Sequence, residues 1–299
     1  MSTTKNSRFG LFVATGVLIA LACWVWPDLG SLADVMPRAV AGEPLGAAAT
    51  AYLPLIAGQP PPLAKIAFES VREGNYEIYL MNPDGSGQRN LTKHPAKDVA
   101  PAWSPTGRQM AFVSDRDGNE EIYVMDLVGS GPEAGRIVRM TNDPGFDGWP
   151  TWSPDGTRIA FQSDRADGRF DIYVMNADGS GQTRLTTHPA HDRWAAWSPD
   201  GALITFTSNR NIFKKVFVMR PDGSRQRAVL DANEYWDDRY STWAPDGRLT
   251  FNSNRPAPSD GSRDEEIYIL NLDGSVQQLI DNRSSDPNEP GDWLARWSP

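Results

Sequence analysis

The chain has 299 residues, of which 39% are hydrophobic and 10% aromatic, a composition that supports a hydrophobic core and excludes an intrinsically disordered protein. Its net charge of −9, with no basic stripe along the sequence, argues against a nucleic-acid partner, because phosphate binding requires clustered Lys and Arg. The single cysteine, Cys23, excludes an internal disulfide framework.

The N-terminus carries an uncharged apolar run, "FGLFVATGVLIALACWVW", over residues 9–26. A helix of about 20 residues crosses the ~30 Å hydrocarbon layer of a bilayer. Lys5 and Arg8 precede the run and Asp28 follows it, which favours export of everything after it. We therefore predict a signal anchor or transmembrane helix over residues 1–26, with the rest of the chain on the periplasmic or extracellular side of a bacterial cell envelope.

Two other fates of this segment stay open. The stretch "IALAC", which ends at Cys23, loosely resembles a bacterial lipobox, so this cysteine could carry a lipid. A signal peptidase could instead cleave at "AVA", residues 39–41, although such sites usually lie closer to the apolar run. Residues 27–63 are rich in Ala, Pro and Gly, which predicts a tether before a folded domain over residues 64–299.

Five copies of one repeat fill the folded domain, beginning at Ile66, Met110, Ile159, Ile204 and Leu249. Each copy holds two alternating apolar segments such as "IAFQS" and "DIYVMN", a turn that usually reads "DGS", a short segment such as "TRLT", and a last segment that ends in Trp. Four short strands at a period of 44 to 49 residues are typical of a β-propeller blade. We predict an all-β, five-bladed β-propeller.

The two ends of the domain complement each other. The first copy lacks the "WSPDG"-type hairpin that precedes the later copies, and the chain ends in "WSP" at residues 297–299. We expect the strand that ends at Trp297 to pair with the strand that begins at Ile66. This pairing would close the ring and remove an exposed sheet edge.

The repeat "WSPDGTRIAFQSDRADGRFDIYVMNADGSGQTRLT", residues 152–186, resembles the propeller repeats of the periplasmic TolB family and related WD-repeat-like exported proteins. The likeness extends over residues 65–299. It implies an exported binding propeller, since TolB is a protein-binding component of an envelope complex. TolB has six blades and an N-terminal α/β domain, whereas this sequence shows five countable repeats, with an anchor and a tether before them.

An aspartate lies five residues before each repeated tryptophan, and an arginine follows the serine that ends each first segment. A ring of five carboxylates could suit a hard cation. We instead predict structural ion pairs and no metal site, because Asp98 should lie opposite Ser114 and Arg116 at one end of a hairpin. For Asp192, we name Arg165 as the partner. The predicted pairs draw on Asp98, Asp147, Asp192, Asp238 and Asp292, with Arg72, Arg116, Arg165, Arg210 and Arg255.

Tryptophan also recurs in every copy, and the residue three positions before it varies and is aromatic in three copies. We expect the recurring set, Trp103, Trp152, Trp197, Trp243 and Trp297, to form the core between blades. Aromatic residues exposed on one face are typical of a partner-binding surface, although rings at these positions could instead plug the narrow channel. The predicted partner-binding residues are Trp149, Trp194, Tyr240, Trp236 and Trp293.

The sequence contains no G-x-S-x-G elbow, no H-E-x-x-H motif and no P-loop, so we predict no catalytic residues and no cofactor. The favoured function is a membrane-tethered, extracytoplasmic propeller that binds a protein or an envelope polymer. The alternative is an extracytoplasmic hydrolase or lyase that acts on peptides or polysaccharides at the channel mouth, because propellers of other families host enzymes there.

Overall fold

The computed structural model of the chain describes residues 19–20, 65–127, 135–230, 235–256 and 265–279. Across these ranges the regular secondary structure is strand throughout. The strands form five separate four-stranded antiparallel sheets, each built from strands consecutive in the chain. The prediction of an all-β, five-bladed propeller is therefore confirmed, and we call the sheets blades 1 to 5 in chain order.

Each blade contains an inner strand, a second, a third and an outer strand, in that order. The inner strands of neighbouring blades lie against each other around the axis of the propeller. Blade 1 consists of β1 Ile19–Ala20, β2 Ile66–Ser70, β3 Glu77–Met81 and β4 Arg89–Asn90, and blade 2 of β5 Asp98–Trp103, β6 Gln109–Ser114, β7 Glu121–Asp126 and β8 Ile137–Arg139. Blade 3 consists of β9 Asp147–Trp152, β10 Arg158–Ser163, β11 Asp171–Asn176 and β12 Thr183–Arg184, and blade 4 of β13 Asp192–Trp197, β14 Ile204–Ser208, β15 Lys215–Met219 and β16 Arg227–Ala228. Blade 5 consists of β17 Asp238–Trp243, β18 Leu249–Ser253, β19 Glu266–Leu270 and β20 Val276–Gln278.

The hydrophobic core lies between the blades. Trp152 of blade 3, which is 7% exposed, packs in one cluster with Ala111 and Ile122 of blade 2 and with Phe161 of its own blade. Because blade 3 is covered by blade 2 on one side and by blade 4 on the other, its second and third strands are buried along nearly their whole length. The predicted position of the repeated tryptophans between blades is confirmed for Trp152, Trp197 and Trp243.

The N-terminal strand β1 lies inside the predicted membrane anchor. Ile19 pairs with Phe68 and Ala20 with Ala67, at the inner edge of β2. These two residues are strand rather than helix, because a β-strand edge offers unpaired N–H and C=O groups that another strand satisfies. The rest of the anchor, the tether and the predicted closing strand at residues 292–299 lie outside the described residues. Among the residues described, no helix is long and apolar enough to cross a membrane.

Candidate interaction site at the channel mouth

A backbone bulge interrupts the inner strands of blades 2 to 5 at their third residue. The pairing of inner and second strands skips there; in blade 4, for example, it moves from Arg193 to Ala196. The bulge residues adopt left-handed backbone angles, which are costly for residues other than glycine. Their φ values are 52° for Ala100, 54° for Trp149, 55° for Trp194 and 54° for Tyr240.

A side chain of the preceding blade holds three of these bulges. The backbone N–H of Ala100 donates to Oε1 of Glu69 at 2.7 Å. In blade 4 the N–H of Trp194 donates to Oε1 of Gln162 at 3.2 Å, and in blade 5 the N–H of Tyr240 donates to Oγ1 of Thr207 at 3.2 Å. The acceptors all precede the last serine of a second strand. Sequence reasoning missed these contacts, although a polar residue in an otherwise apolar strand was the available signal.

The structure places the predicted aromatic residues in different surroundings. Trp149, Trp194 and Tyr240 are each half-buried, so these rings are neither fully exposed on one face nor fully buried as a plug of the channel. The rings of Trp194 and Tyr240 lie together, with centroids 4.2 Å apart and planes tilted by 52°. The ring of Trp236 lies 5.4 Å from Nζ of Lys215 in blade 4 and 5.6 Å from the guanidinium of Arg255 in blade 5, beside the buried charges between these blades. Trp293 lies outside the described residues.

Two arginines that sequence reasoning missed flank the aromatic pair. Arg193 and Arg239 are each the second residue of an inner strand, directly before the bulge residue. The guanidinium of Arg239 makes two hydrogen bonds to Glu265, at 2.7 and 2.9 Å. The guanidinium of Arg193 lies 4.1 Å from the ring centre of Phe170 and 5.9 Å from that of Trp194. Arginine at this position in only two repeats was the signal in the sequence.

Phe170 connects these residues to the loops of blades 3 and 4. Its ring meets Phe146 edge-on at 5.3 Å and lies 5.9 Å from the imidazole of His191. The backbone N–H of Phe170 donates to Nδ1 of His191 at 3.2 Å, which fixes the loop. A row of rings and cations therefore runs across blades 3 to 5 at one end of the inner strands. We call Phe170, Arg193, Trp194, Tyr240 and Arg239 the mouth cluster.

Buried ion pairs form within four blades, in the hairpins where the sequence placed them. The aspartate side chains are at most 1% exposed and the arginine side chains 13–15% exposed, so each pair is largely removed from water. Nη2 of the arginine lies 3.0 Å from the carboxylate in Arg116–Asp98, 2.8 Å in Arg210–Asp192 and 2.9 Å in Arg255–Asp238, and Arg165 contacts Asp147 in the same way.

One pairing differs from the prediction, and another falls on a residue outside the described ranges. Asp192 pairs with Arg210 and not with Arg165, because the hairpin register sets Asp192 opposite Ser208, two residues before Arg210. Arg72 donates to Ser70 at 2.9 Å and to Gln88 at 2.7 Å, while Asp292 lies outside the described residues.

Burial shifts the titration of these aspartates. It raises the pKa of Asp98 and Asp192 above the ordinary range, and it raises that of Asp147 to about 6, against the opposing effect of the neighbouring arginine. Burial also lowers the pKa of Arg193, whose charge is only partly solvated. Within the described ranges, no group of three or more His, Cys, Asp or Glu side chains is arranged to hold a metal ion.

Comparison with known proteins identifies relatives of the propeller. A family model for the TolB beta propeller domain matches residues 58–138 and 132–290. The Tol-Pal system protein TolB of Geobacter sulfurreducens is 48% identical over 46 residues, which are 15% of this chain and 11% of that protein.

Solved structures give a similar picture. TolB from Acinetobacter baumannii is 23% identical, with a TM-score of 0.56, over 68% of this chain and 48% of that one. A puromycin-hydrolyzing peptidase from Mycobacterium tuberculosis is 16% identical, with a TM-score of 0.57, over 75% of this chain and 36% of that one. At these identities the likeness concerns the fold alone. The chain thus spans less than half the length of each of these relatives.

Proposed function

The chain belongs to the TolB β-propeller family, and on that premise we propose that it is an extracytoplasmic module that binds a protein through the mouth cluster. The observation that carries the proposal is the close, tilted contact of the Trp194 and Tyr240 rings, which are only half-buried and are held at two strained bulges. Tryptophan, tyrosine and arginine are the residues that contribute most to protein interfaces. The name of the relative in Geobacter sulfurreducens, a Tol-Pal system protein, supports a protein partner in the cell envelope.

The bulges favour binding over simple packing. A left-handed backbone at a large residue costs energy. Here the backbone N–H groups of Trp194 and Tyr240 donate hydrogen bonds to side chains of the preceding blade, which compensates for that cost. Rings held in this way lose little conformational entropy when a partner covers them, so more of the contact energy appears as affinity. An envelope polymer would use the same rings.

We further propose that the apolar run at residues 9–26 directs export and tethers the propeller through residues 27–63, with Cys23 as a possible site of lipid attachment. The charge distribution around the run supports this topology. Cell fractionation and the mass of the mature N-terminus test it. A retained N-terminus in the membrane fraction is expected, while a propeller found in the cytoplasm would contradict the proposal.

The ring is proposed to close by pairing residues 292–299 with β2. This segment repeats the Asp-to-Trp spacing of the inner strands, and the edge of β2 that it would meet pairs with Ile19–Ala20 in the structure. Two deletions separate these partners of β2. Removal of residues 292–299 should abolish cooperative unfolding, whereas removal of residues 1–26 should leave it intact; the reverse result would assign the edge to β1.

Binding is tested by crosslinking the full chain in solubilised membranes and identifying the captured protein by mass spectrometry. Trp194→Ala should lose the partner, and Tyr76→Ala, which truncates a 42% exposed ring on blade 1, should retain it. A partner captured equally by both variants would contradict the proposed site. Turnover of a peptide or polysaccharide by the purified chain would replace the binding function with the enzymatic alternative.

A further inference from the structure

Arg193 and Arg239 occupy the same position in neighbouring blades but differ in their partners. Each follows the first aspartate of an inner strand and precedes a bulge aromatic. Arg239 is held in a two-pronged contact with the carboxylate of Glu265, directly before the third strand of its own blade. This contact shows which group an arginine at this position binds: a planar carboxylate at hydrogen-bonding distance.

Arg193 has no such carboxylate in its own blade. The residue equivalent to Glu265 in blade 4 is Lys214, which directly precedes β15 and repels a guanidinium. Arg193 instead lies against Phe170 of blade 3. Among the residues that the structure describes, it forms no ion pair, and its Nε is enclosed without a hydrogen-bond partner.

An enclosed N–H group without an acceptor is costly, because it has lost water and gained nothing. The side chain as a whole is half-buried, at the end of the inner strand where the mouth cluster lies. The guanidinium lies over the ring of Phe170, and this contact restrains the side chain before a ligand binds. Arg193 therefore combines a restrained side chain, an unmet hydrogen-bonding capacity and partial exposure.

We propose that Arg193 is a recognition site for the carboxylate of an acidic side chain, Asp or Glu, in a peptide segment of the partner. This inference rests on the proposed binding function and adds the chemistry of the ligand. Glu265 on Arg239 is the template within the molecule. Phe170 and Trp194 flank the guanidinium and supply the apolar contacts that a peptide backbone and its neighbouring side chains require.

The test uses an array of capped nine-residue peptides of varied sequence, each made with a central Glu and with a matched Gln, probed with the full chain. The wild type should favour the Glu member of the binding pairs by about tenfold or more. Arg193→Gln should erase this preference, and Arg227→Gln, which changes an exposed arginine on the outer strand of blade 4, should keep it. Lys214→Glu should also erase it, because the new carboxylate would occupy Arg193 as Glu265 occupies Arg239.

The outcomes separate the two proposals. Peptides whose binding falls with Trp194→Ala but not with Arg193→Gln would overturn the carboxylate site and leave the proposed function in place. Binding that neither substitution changes would overturn both. Stronger binding of digalacturonate than of any Glu peptide would overturn the peptide ligand in favour of an acidic polysaccharide. Thermal melting of each variant shows that a lost preference reflects the site and not unfolding.

Discussion

The interface between blades 4 and 5 differs from the three interfaces before it in the sign of one buried charge. At all four interfaces, the backbone N–H of the first aspartate of an inner strand donates to a backbone carbonyl oxygen of the preceding blade, at 2.7 to 3.0 Å. The third strands of blades 1 to 3 begin with an acid near that aspartate: Glu77, Glu121 and Asp171. Burial raises the pKa of Asp98, Asp147 and Asp171, and the neighbouring acid across the interface raises each of them further. Blade 4 begins its third strand with Lys215, whose Nζ lies 3.3 Å from Asp238, and both side chains are 1% exposed.

The outer strand explains why the acid and the lysine are not interchangeable. In blade 3, Asp171 accepts hydrogen bonds from Arg184 and from Oγ1 of Thr186. The positions of these two donors in blade 4 are Ala228 and Leu230, which offer no side-chain donor. The same backbone therefore accommodates either charge at the start of the third strand, provided that the residues of the outer strand change with it.

The largest expected effect comes from Lys215→Glu. The new carboxylate would lie buried beside Asp238 without a donor from the outer strand, so we expect the free energy of unfolding to fall by about 3–5 kcal/mol. Urea unfolding measures the loss. Adding Ala228→Arg and Leu230→Thr supplies the donors of blade 3 and should recover a substantial part of the stability. If the triple variant is no more stable than the single one, the coupling between the two strands is wrong.

A smaller loss is expected from Asp192→Ala, which leaves Arg210 without its carboxylate. Because the arginine keeps some contact with water, we expect the free energy of unfolding to fall by about 1–3 kcal/mol. A double-mutant cycle with Arg210→Ala in urea unfolding isolates the pair. Additive losses would show that the two side chains do not interact.

The free energy of unfolding should depend on pH in a way that shows the cost of burying Asp147 at the interface between blades 2 and 3. Asp147 has a folded-state pKa of about 6 against an ordinary value of 3.8, so the folded state takes up its proton first. The contribution of Asp147 to the free energy of unfolding therefore rises by about 1–2 kcal/mol as the pH falls from 7 through 6 towards 4.

Asp147→Asn removes this contribution and provides the measurement. The difference in unfolding free energy between the wild type and the variant should shift in favour of the wild type between pH 7 and pH 5. A difference that is constant with pH, or that shifts the other way, would contradict the raised pKa. Comparing the two proteins cancels the opposite effect of exposed carboxylates with lowered pKa values, such as Asp178.

The five-bladed architecture and the buried ion pairs were predictable because they repeat. Four alternating segments in every copy define a blade, and an Asp and an Arg at a fixed spacing define a pair. The assignment of Asp192 to Arg165 was wrong because the hairpin register fixes the partner, and the register places Arg210 two residues past Ser208. The spacing that sets Asp98 opposite Ser114 also sets Asp192 opposite Ser208, so applying it to every copy would have given Arg210 as the partner of Asp192.

The mouth cluster was predictable only in part. The variable aromatic position before each repeated tryptophan indicated Trp194 and Tyr240, since variation within a repeat is visible in one chain. Their left-handed backbone was not predictable, because no glycine marks the bulge. Arg193 could not be distinguished from Arg239 either. Their difference depends on Glu265, which only the fold brings to Arg239, and on Lys214, which occupies the equivalent position in blade 4.

The smallest stability effect, with the largest effect on binding, is expected at Trp194, and its measurement tests the proposed function most directly. Isothermal titration of Trp194→Ala with the partner or the best Glu peptide should show a loss of ~2 kcal/mol or more, about 30-fold in affinity. Its unfolding free energy should change by less than about 1 kcal/mol, because the ring is only half-buried. Trp149→Ala and Tyr240→Ala extend the test to the other bulge aromatics. If the variant instead melts early and its affinity merely follows the folded fraction, the ring is channel packing and the mouth cluster is not the binding site.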